Sequence, residues 1–214
     1  MYTVSSTASS RSGPLGTHFR RSSILQAAAK VFAKKGAREA TVEDVLQEAA
    51  IARRTFYRLF KNKEEVLAAL YDVSCEILLN AIRQAVASTD DPVERLERSV
   101  DAYLGLQQGA GDLLRVLEAE ALRPGSLLAV RREAMLEAAS RELAAHRTDL
   151  DGRAVDPLVM HGVLVALEGI SYRMHAEGPP TKARLDRARR VMLRIVTATL
   201  AGPKDAVAPL PLVR

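Results

Sequence analysis

The chain contains 214 residues, of which 48% are hydrophobic, 27% are charged and 4% are aromatic, with a formal net charge of +5. This balance excludes a wholly disordered protein, and the length allows a small domain fused to a larger one. No apolar run reaches membrane-spanning length. Ala, Leu, Arg and Glu dominate and long stretches contain no Pro, so the composition favours an all-α fold.

The positive charge is concentrated near the amino terminus. Between Arg11 and Lys63 lie 12 Lys or Arg and 4 Asp or Glu, a net charge of +8. The rest of the chain holds the remaining 19 basic and 22 acidic residues, a net charge of −3. Such asymmetry is typical of a protein in which one end neutralises phosphates. A solvated basic surface is the alternative.

The amino terminus and the cysteine content predict where the protein works. Cys75 is the only cysteine, so no intrachain disulfide can form and a reducing cytoplasm is the expected setting. Residues 1–18 are rich in Ser and Thr and lack the apolar stretch of a secretory signal. We expect a flexible arm over these residues, a cytoplasmic location and no membrane partner.

The stretch from Thr41 to Lys63 predicts two short helices joined by a tight turn, which is a helix-turn-helix. The hydroxyl of Thr41 is placed to cap the first of these helices, and Ala50 lies in the bend. A preceding helix is expected over about residues 19–35, with Gly36 as its stop. Its role would be to support the two short helices.

Three ordered segments between Arg21 and Leu67 carry a family pattern, namely RSSILQAAAKVFAKKG, TVEDVLQEA and RRTFYRLFKNKEEVL. They resemble the amino-terminal domain of TetR-family transcriptional regulators, with Ala50 where many members have glycine. The resemblance implies a homodimer that binds a palindromic double-stranded DNA operator, most often as a repressor. It also implies release by a small-molecule effector, with a long fourth helix coupling effector binding to the DNA-binding domain.

The second short helix concentrates groups suited to gripping DNA. Arg53 and Arg54 are the candidates for base edges, because one guanidinium can bond both O6 and N7 of guanine. Thr55 suits a phosphate or a thymine methyl group, and the other polar residues suit phosphates. In a dimer, two such helices about 34–36 Å apart can read successive half-sites. The predicted DNA-binding residues are Thr41, Arg53, Arg54, Thr55, Tyr57, Arg58, Lys61 and Lys63.

The remainder of the chain predicts six further helices, for a total of nine. Asn62 is placed to cap a long helix over residues 63–86, and Pro and Gly residues separate the others. The others are predicted at residues 92–107, 112–122, 126–146, 156–177 and 181–201. The predicted domains are a DNA-binding domain at 19–65, an effector-binding and dimerisation domain at 66–201, and a loose tail at 202–214.

Apolar residues in the last two helices alternate at steps of three and four, the spacing of a helix-bundle seam. The helices either complete the core of one protomer or pair with their copies in a four-helix bundle. The resemblance favours pairing, and Gly162 and Gly169 would allow close approach. The predicted dimer interface is Met160, Val163, Leu167, Ile170, Met174, Leu185, Ala188, Met192, Ile195 and Thr199.

An apolar set of residues with a few polar groups predicts an effector cavity among helices four to eight. Glu118, Glu168 or His161 is expected to orient the ligand. Glu168 interrupts the apolar stretch VLVALEGI, and a buried carboxylate needs a partner. Ordinary core packing is the alternative for each residue. The predicted effector-binding residues are Tyr71, Cys75, Leu78, Tyr103, Gln107, Leu117, Glu118, Met135, His161, Leu164, Glu168 and Tyr172.

The sequence shows no signature of catalysis or of a cofactor. Its four histidines lack metal-ligand spacing, and there is no phosphate-binding loop, dinucleotide-binding fingerprint or nucleophile elbow. We therefore expect no enzyme activity, no metal and no cofactor. Two alternatives stay open, namely a constitutive or architectural DNA-binding protein without an effector, and an α-helical enzyme on a related fold.

Overall fold

The computed structural model describes residues 14–145, 154–175 and 178–200, and within these ranges it contains nine α-helices and no β-strand. The prediction of an all-α fold is confirmed. None of the described helices is both long enough and apolar enough to cross a membrane. The helices are α1 (Pro14–Glu39), α2 (Val42–Ala49), α3 (Arg53–Tyr57), α4 (Lys63–Ala87), α5 (Pro92–Gly109), α6 (Gly111–Ala121), α7 (Leu127–Ala145), α8 (Pro157–His175) and α9 (Lys182–Leu200).

The chain divides into two compact units, the first ending at Val66 and the second starting at Leu67. The boundary predicted from the sequence lies one residue earlier. Residues 1–13 of the predicted arm and the predicted tail from residue 202 lie outside the described residues.

The first helix is longer at its start than the sequence predicts. A flexible arm is predicted up to residue 18, but α1 begins at Pro14 and residues 14–18 are helical. Pro is well tolerated in the first turn of a helix, where its missing N–H loses no hydrogen bond. Near the other end, Gly36 adopts φ 78° and ψ 169°, a conformation that residues with a Cβ rarely reach, and this interrupts the helix at the predicted stop.

Two polar side chains fix the start of α2. The hydroxyl of Thr41 accepts the backbone N–H of Asp44 at 3.2 Å, and the Asp44 carboxylate accepts the backbone N–H of Thr41 at 3.0 Å. This reciprocal pair is a capping box, so Thr41 caps α2 as the sequence predicts. The helix ends at Ala50, which has φ 50° and ψ 46°, the left-handed conformation that glycine adopts at lower cost.

The second of the two short helices, α3, spans only Arg53–Tyr57. Ala52 precedes it without a side-chain cap. After it, the backbone N–H groups of Leu59 and Phe60 both donate to the carbonyl of Phe56, so the chain tightens into a turn. Phe56 itself is fully buried, and its ring centroid lies 5.9 Å from that of Phe60. The burial of Phe56 fixes which face of α3 is exposed.

The second unit is built around α8 and α9. Helix α8 packs against α7 and α9, and α9 also packs against α5. Asp91 caps α5 by accepting the backbone N–H groups of Val93 and Glu94, with Pro92 in the first turn. The buried core draws on four of these helices and comprises Leu96, Val100, Leu104, Ala144, Met160, Val163, Met174, Ala188, Met192, Val196 and Leu200.

This core corrects the predicted dimer interface. Five of the ten predicted residues, Met160, Val163, Met174, Ala188 and Met192, are at most 6% exposed inside one protomer. Three more, Leu167, Ile170 and Leu185, pack against the same core. The spacing of three and four is real, but it marks the seam within the protomer, because a bundle seam has the same period whichever chain supplies the partner helix. Ile195 is half-buried and Thr199 is exposed.

Candidate functional site

The exposed face of α3 carries the basic residues of the helix-turn-helix. Arg53, Arg54, Tyr57 and Arg58 are all exposed, while the buried Phe56 anchors the same helix to the core. Thr55 is half-buried, and Lys61 is exposed just beyond the helix. The arrangement presents two guanidinium groups from the first turn of a helix, which suits contact with base edges and phosphates.

Acidic side chains of α2 hold two neighbouring cations in place. Arg53 donates to Glu43 at 2.5 Å, and both side chains are more than half exposed, so solvent screens the pair. Lys35 donates to Asp44 at 2.6 Å, and this bond together with those from Thr41 lowers the pKa of Asp44 to about 2. The hydroxyl of Thr41, a predicted phosphate contact, also donates to Asp44 at 2.9 Å. A phosphate would have to displace that internal bond.

Lys63, one of the predicted DNA contacts, is bonded within the first unit. Its ammonium donates to the carbonyl oxygens of Ala37, Arg38 and Ala40 at 3.0, 2.8 and 2.7 Å. These three bonds use all three of its N–H donors and hold the last turn of α1 together with the residue that follows it. Lys63 therefore has an internal structural role, and in this arrangement its ammonium has no N–H left for a phosphate. Nothing in the local sequence distinguishes it from the exposed Lys61 two positions earlier.

A cavity of about 160 Å³ lies within the second unit, lined mostly by apolar side chains of α4 to α9. Ten of the twelve predicted effector-binding residues line it, namely Tyr71, Cys75, Leu78, Tyr103, Gln107, Leu117, Glu118, Met135, Leu164 and Glu168. His161 and Tyr172 do not. Tyr172 is 45% exposed because it lies on the face of α8 opposite the core. Met160, Val163 and Leu167, predicted at the dimer interface, line the cavity instead.

One polar group of the cavity is centred on Glu118 of α6. Its Oε1 accepts the amide of Gln107 at 2.7 Å and the hydroxyl of Ser171 at 3.0 Å. Burial raises the pKa of Glu118 to about 7, against the opposing effect of these two donors, and the charge of Glu168 adds to the increase. Nδ1 of His175 lies 3.9 Å from its Oε2. Burial lowers the pKa of His175, so its neutral form is favoured and this contact is not an ion pair.

The other polar group is an ion pair between Arg132 of α7 and Glu168 of α8. Nε of Arg132 lies 2.8 Å from both carboxylate oxygens, and both side chains are 15% exposed. Glu168 thus has the partner that its position in an apolar stretch requires. The sequence does not identify Arg132, which is 36 positions away and one of two adjacent arginines. Ser171 could have been found, since it lies three residues after Glu168 on the same helix.

Two further titratable groups line the cavity on α4. Burial raises the pKa of the Cys75 thiol to about 11, while the Tyr71 hydroxyl counteracts part of this effect. Burial also raises the pKa of Tyr71. Both groups are therefore neutral at physiological pH. The cavity offers one neutralised ion pair, one partly ionised carboxyl and otherwise neutral walls.

Residues 24–70 match the family model described as bacterial regulatory proteins of the tetR family. Over these residues the amino-terminal domain is similar to the TetR family. The match covers α2 and α3 and the buried Ile24 and Phe56 that support them. The resemblance found in the sequence is confirmed.

Two curated relatives share this part of the chain. One is the HTH-type transcriptional repressor KstR2 of Mycobacterium tuberculosis, 37% identical over 78 residues, which are 36% of this chain and 39% of the relative. The other is the HTH-type transcriptional activator FasR of Mycolicibacterium smegmatis, 30% identical over 84 residues, which are 39% of this chain and 38% of the relative. The matched stretch therefore spans well under half the length of either relative.

The whole fold is similar to solved structures. One is the transcriptional regulator FadR from Bacillus subtilis in complex with stearoyl-CoA, with a TM-score of 0.63 and 18% identity. The similarity covers 85% of this chain and 98% of that chain. At this identity the comparison shows the fold of the second unit as well as the first, and no more.

Proposed function

We propose that this protein is a dimeric transcriptional regulator that binds an operator through α3 and responds to a small molecule in the cavity of its second unit. The observation that carries the proposal is the exposed basic face of α3 on a TetR-family domain. The regulator names of the curated relatives support it. Repression and a cytoplasmic location are part of the same proposal.

The DNA-binding role is tested by footprinting the protein on its own upstream region and on a randomised-site library across a salt series. A two-fold symmetric protected site and a steep loss of affinity with salt are expected, because each neutralised phosphate releases counterions. Failure of both the upstream and the randomised-site experiments would reject operator binding.

Arg54 gives the sharpest test of base reading. Arg54→Ala should cost about 1–3 kcal/mol at one base position of each half-site and relax the choice of base there. Arg190→Ala, which removes an exposed arginine from α9, is the matched control and should leave the selected sequence unchanged. An identical selected sequence for Arg54→Ala would contradict the assignment.

The effector role rests on the cavity and on the course of α4. This helix supplies Tyr71, Cys75 and Leu78 to the cavity, and it begins at Lys63, which holds the chain after α1. An effector that favours one position of α4 would thereby favour one state of the DNA-binding unit. A drop in operator affinity when an effector is added separates this proposal from a constitutive regulator. Turnover of a substrate without DNA would instead support an enzyme.

The proposed dimer surface is the face of α8 opposite the core. Leu158, Val165 and Tyr172 are 75%, 37% and 45% exposed, although all three are large and apolar or aromatic. With the exposed Gly162 and Gly169 between them they repeat at steps of four, three, four and three. An added Cβ at either glycine would meet no described atom within 4 Å, so a second helix could approach closely there. A copy of α8 has the matching shape, as a two-fold interface requires.

Val165→Glu tests this surface by placing a charge in the middle of the stripe. The expected result is a monomer in sedimentation analysis, with helix content retained because the residue is outside the core. Val130→Glu changes an equally apolar residue that is 71% exposed on α7, and should leave the dimer intact. A Val165→Glu protein that stays dimeric would rule out this face.

A further inference from the structure

Two acceptors of the cavity have no donor in the described part of the chain. Oε2 of Glu118 and Oε1 of Gln107 are both buried and accept no hydrogen bond there. Gln107 is 3% exposed, and the Glu118 side chain is 12% exposed. A buried acceptor without a donor is unfavourable, so a ligand that supplies the donor binds more tightly for doing so. Both residues line the cavity.

The other acidic group is already satisfied. Arg132 engages both oxygens of Glu168, so this carboxylate is neutralised by a cation of its own. Glu118 has only neutral partners, since Gln107 and Ser171 carry no charge and burial favours neutral His175. A cation in this cavity would therefore form an ion pair with Glu118 and not with Glu168. Of the three residues expected from the sequence to orient a ligand, Glu118 is therefore the one that an added cation suits.

We propose that the effector is a mainly apolar molecule with a protonated amine, which donates to Glu118 Oε2 and Gln107 Oε1. The inference rests on the proposed effector role of the cavity and specifies its chemistry. The apolar body fits walls built from Leu, Val and Met side chains. The amine supplies both the donors and the charge that these two residues lack.

Contact with the amine requires a small movement. Both oxygens are covered in this structure, so the Glu118 carboxylate and the Gln107 amide must each turn about the last torsion towards the cavity, and that torsion is soft in both residue types. A carboxylate ligand gains nothing from this movement, because Glu118 would repel it. Raising the pH through the pKa of Glu118, about 7, leaves the carboxylate charged and strengthens the attraction for an amine. The groups that face it are Gln107, Ser171, His175 and Tyr103, with Glu168 paired to Arg132.

Three probes with the same hydrocarbon test the head-group preference, namely benzylamine, benzyl alcohol and benzoate. Their affinities for the full chain are measured by calorimetry at pH 8, where Glu118 is charged and benzylamine is protonated. We expect benzylamine to bind at least tenfold more tightly than benzyl alcohol, and benzoate to bind most weakly. At pH 5 the preference for the amine over the alcohol should shrink, because Glu118 is then protonated.

Two variants assign the preference to its residue. Glu118→Gln should bring benzylamine and benzyl alcohol to similar affinities, whereas Glu137→Gln, which removes an exposed carboxylate from α7, should retain the tenfold difference. Gln107→Met removes the other acceptor and should weaken amine binding by less than Glu118→Gln does. Protection of Cys75 from alkylation by each probe shows that the probe occupies the cavity, since Cys75 lines it and is the only cysteine.

Three results would overturn the inference: no binding of benzylamine at millimolar concentration, equal affinities of the amine and the alcohol for the unmodified chain, or a preference that survives in Glu118→Gln. None of these results bears on operator binding, because footprinting of the ligand-free protein measures it independently. Loss of operator binding with the amine preference intact would instead reject the proposed function and leave the ligand chemistry standing.

Discussion

The buried carboxyl of Glu118 should make the stability of the second unit depend on pH in a way that one substitution removes. Its pKa is about 7 in the folded protein against an ordinary 4.5. Between pH 4.5 and pH 7, therefore, the folded state keeps a proton that the unfolded chain has lost. Because the unfolded chain then binds fewer protons, the free energy of unfolding falls as the pH rises through this window. The raised pKa therefore stabilises the fold below pH 4.5 and contributes nothing above pH 7.

The difference between a pKa of about 7 in the folded protein and 4.5 in the unfolded chain corresponds to roughly 3 kcal/mol, most of which is lost between pH 5 and pH 8. Glu118→Gln keeps an oxygen for the Gln107 and Ser171 donors but cannot ionise. The difference in free energy of unfolding between this variant and the unmodified chain should therefore rise by roughly 2–3 kcal/mol from pH 5 to pH 8.

The measurement is urea unfolding followed by far-UV circular dichroism at several pH values and one protein concentration, since the chain has no Trp to report by fluorescence. Taking the difference between the two proteins cancels the groups that titrate in the same range independently of Glu118. Glu137→Gln is the control and should run parallel to the unmodified chain. Parallel curves for Glu118→Gln would refute the raised pKa and with it the account of an unpaired buried carboxyl.

Three further predictions follow from single residues. Lys63→Met should lower the thermal stability of the first unit by removing three hydrogen bonds. At a temperature where the variant is folded, its DNA affinity should fall with salt concentration as steeply as that of the unmodified chain. A shallower dependence would show that Lys63 contacts a phosphate. Ala50→Gly should raise the midpoint of thermal unfolding, because the left-handed conformation of residue 50 costs an alanine about 1–2 kcal/mol and costs a glycine little. The greater freedom of glycine in the unfolded chain offsets part of this gain. A lower midpoint would contradict the prediction. Cys75, with a pKa of about 11, should react with iodoacetamide at pH 8 far more slowly than a free thiol does, and its reaction should become faster when the chain is unfolded in urea. A rate equal to that of free cysteine would show that the thiol is not buried.

The sequence predicts the local features of this protein well, because each depends on neighbours in the chain. Thr41 is a cap because Asp44 stands three residues later, and Gly36 is a stop because it tolerates a positive φ. The helices of the second unit start and end within one or two residues of the predictions wherever the structure describes them. Most of the cavity lining is also predictable, since apolar residues with isolated polar neighbours mark inward faces.

Partners that are distant in the chain are not predictable from one sequence. Arg132 neutralises Glu168 across 36 positions, and Lys63 reaches carbonyl groups more than 20 positions earlier. In both cases a charged side chain has several possible roles, and only the fold decides which partner is within reach. This is why the sequence alone predicts a ligand contact for Glu168 and a phosphate contact for Lys63.

Helix α8 shows how one sequence pattern can fit two surfaces. Its inward seam contains Met160, Val163 and Met174, and its outward stripe contains Leu158, Val165 and Tyr172, so both faces repeat at the helical period. Periodicity identifies an apolar face but not the molecule that covers it. Size separates the two faces here, because the inward seam is filled by large side chains whereas the outward stripe alternates with Gly162 and Gly169. Small residues on an exposed face bury little within one chain, and their position is explained if a second helix lies against them.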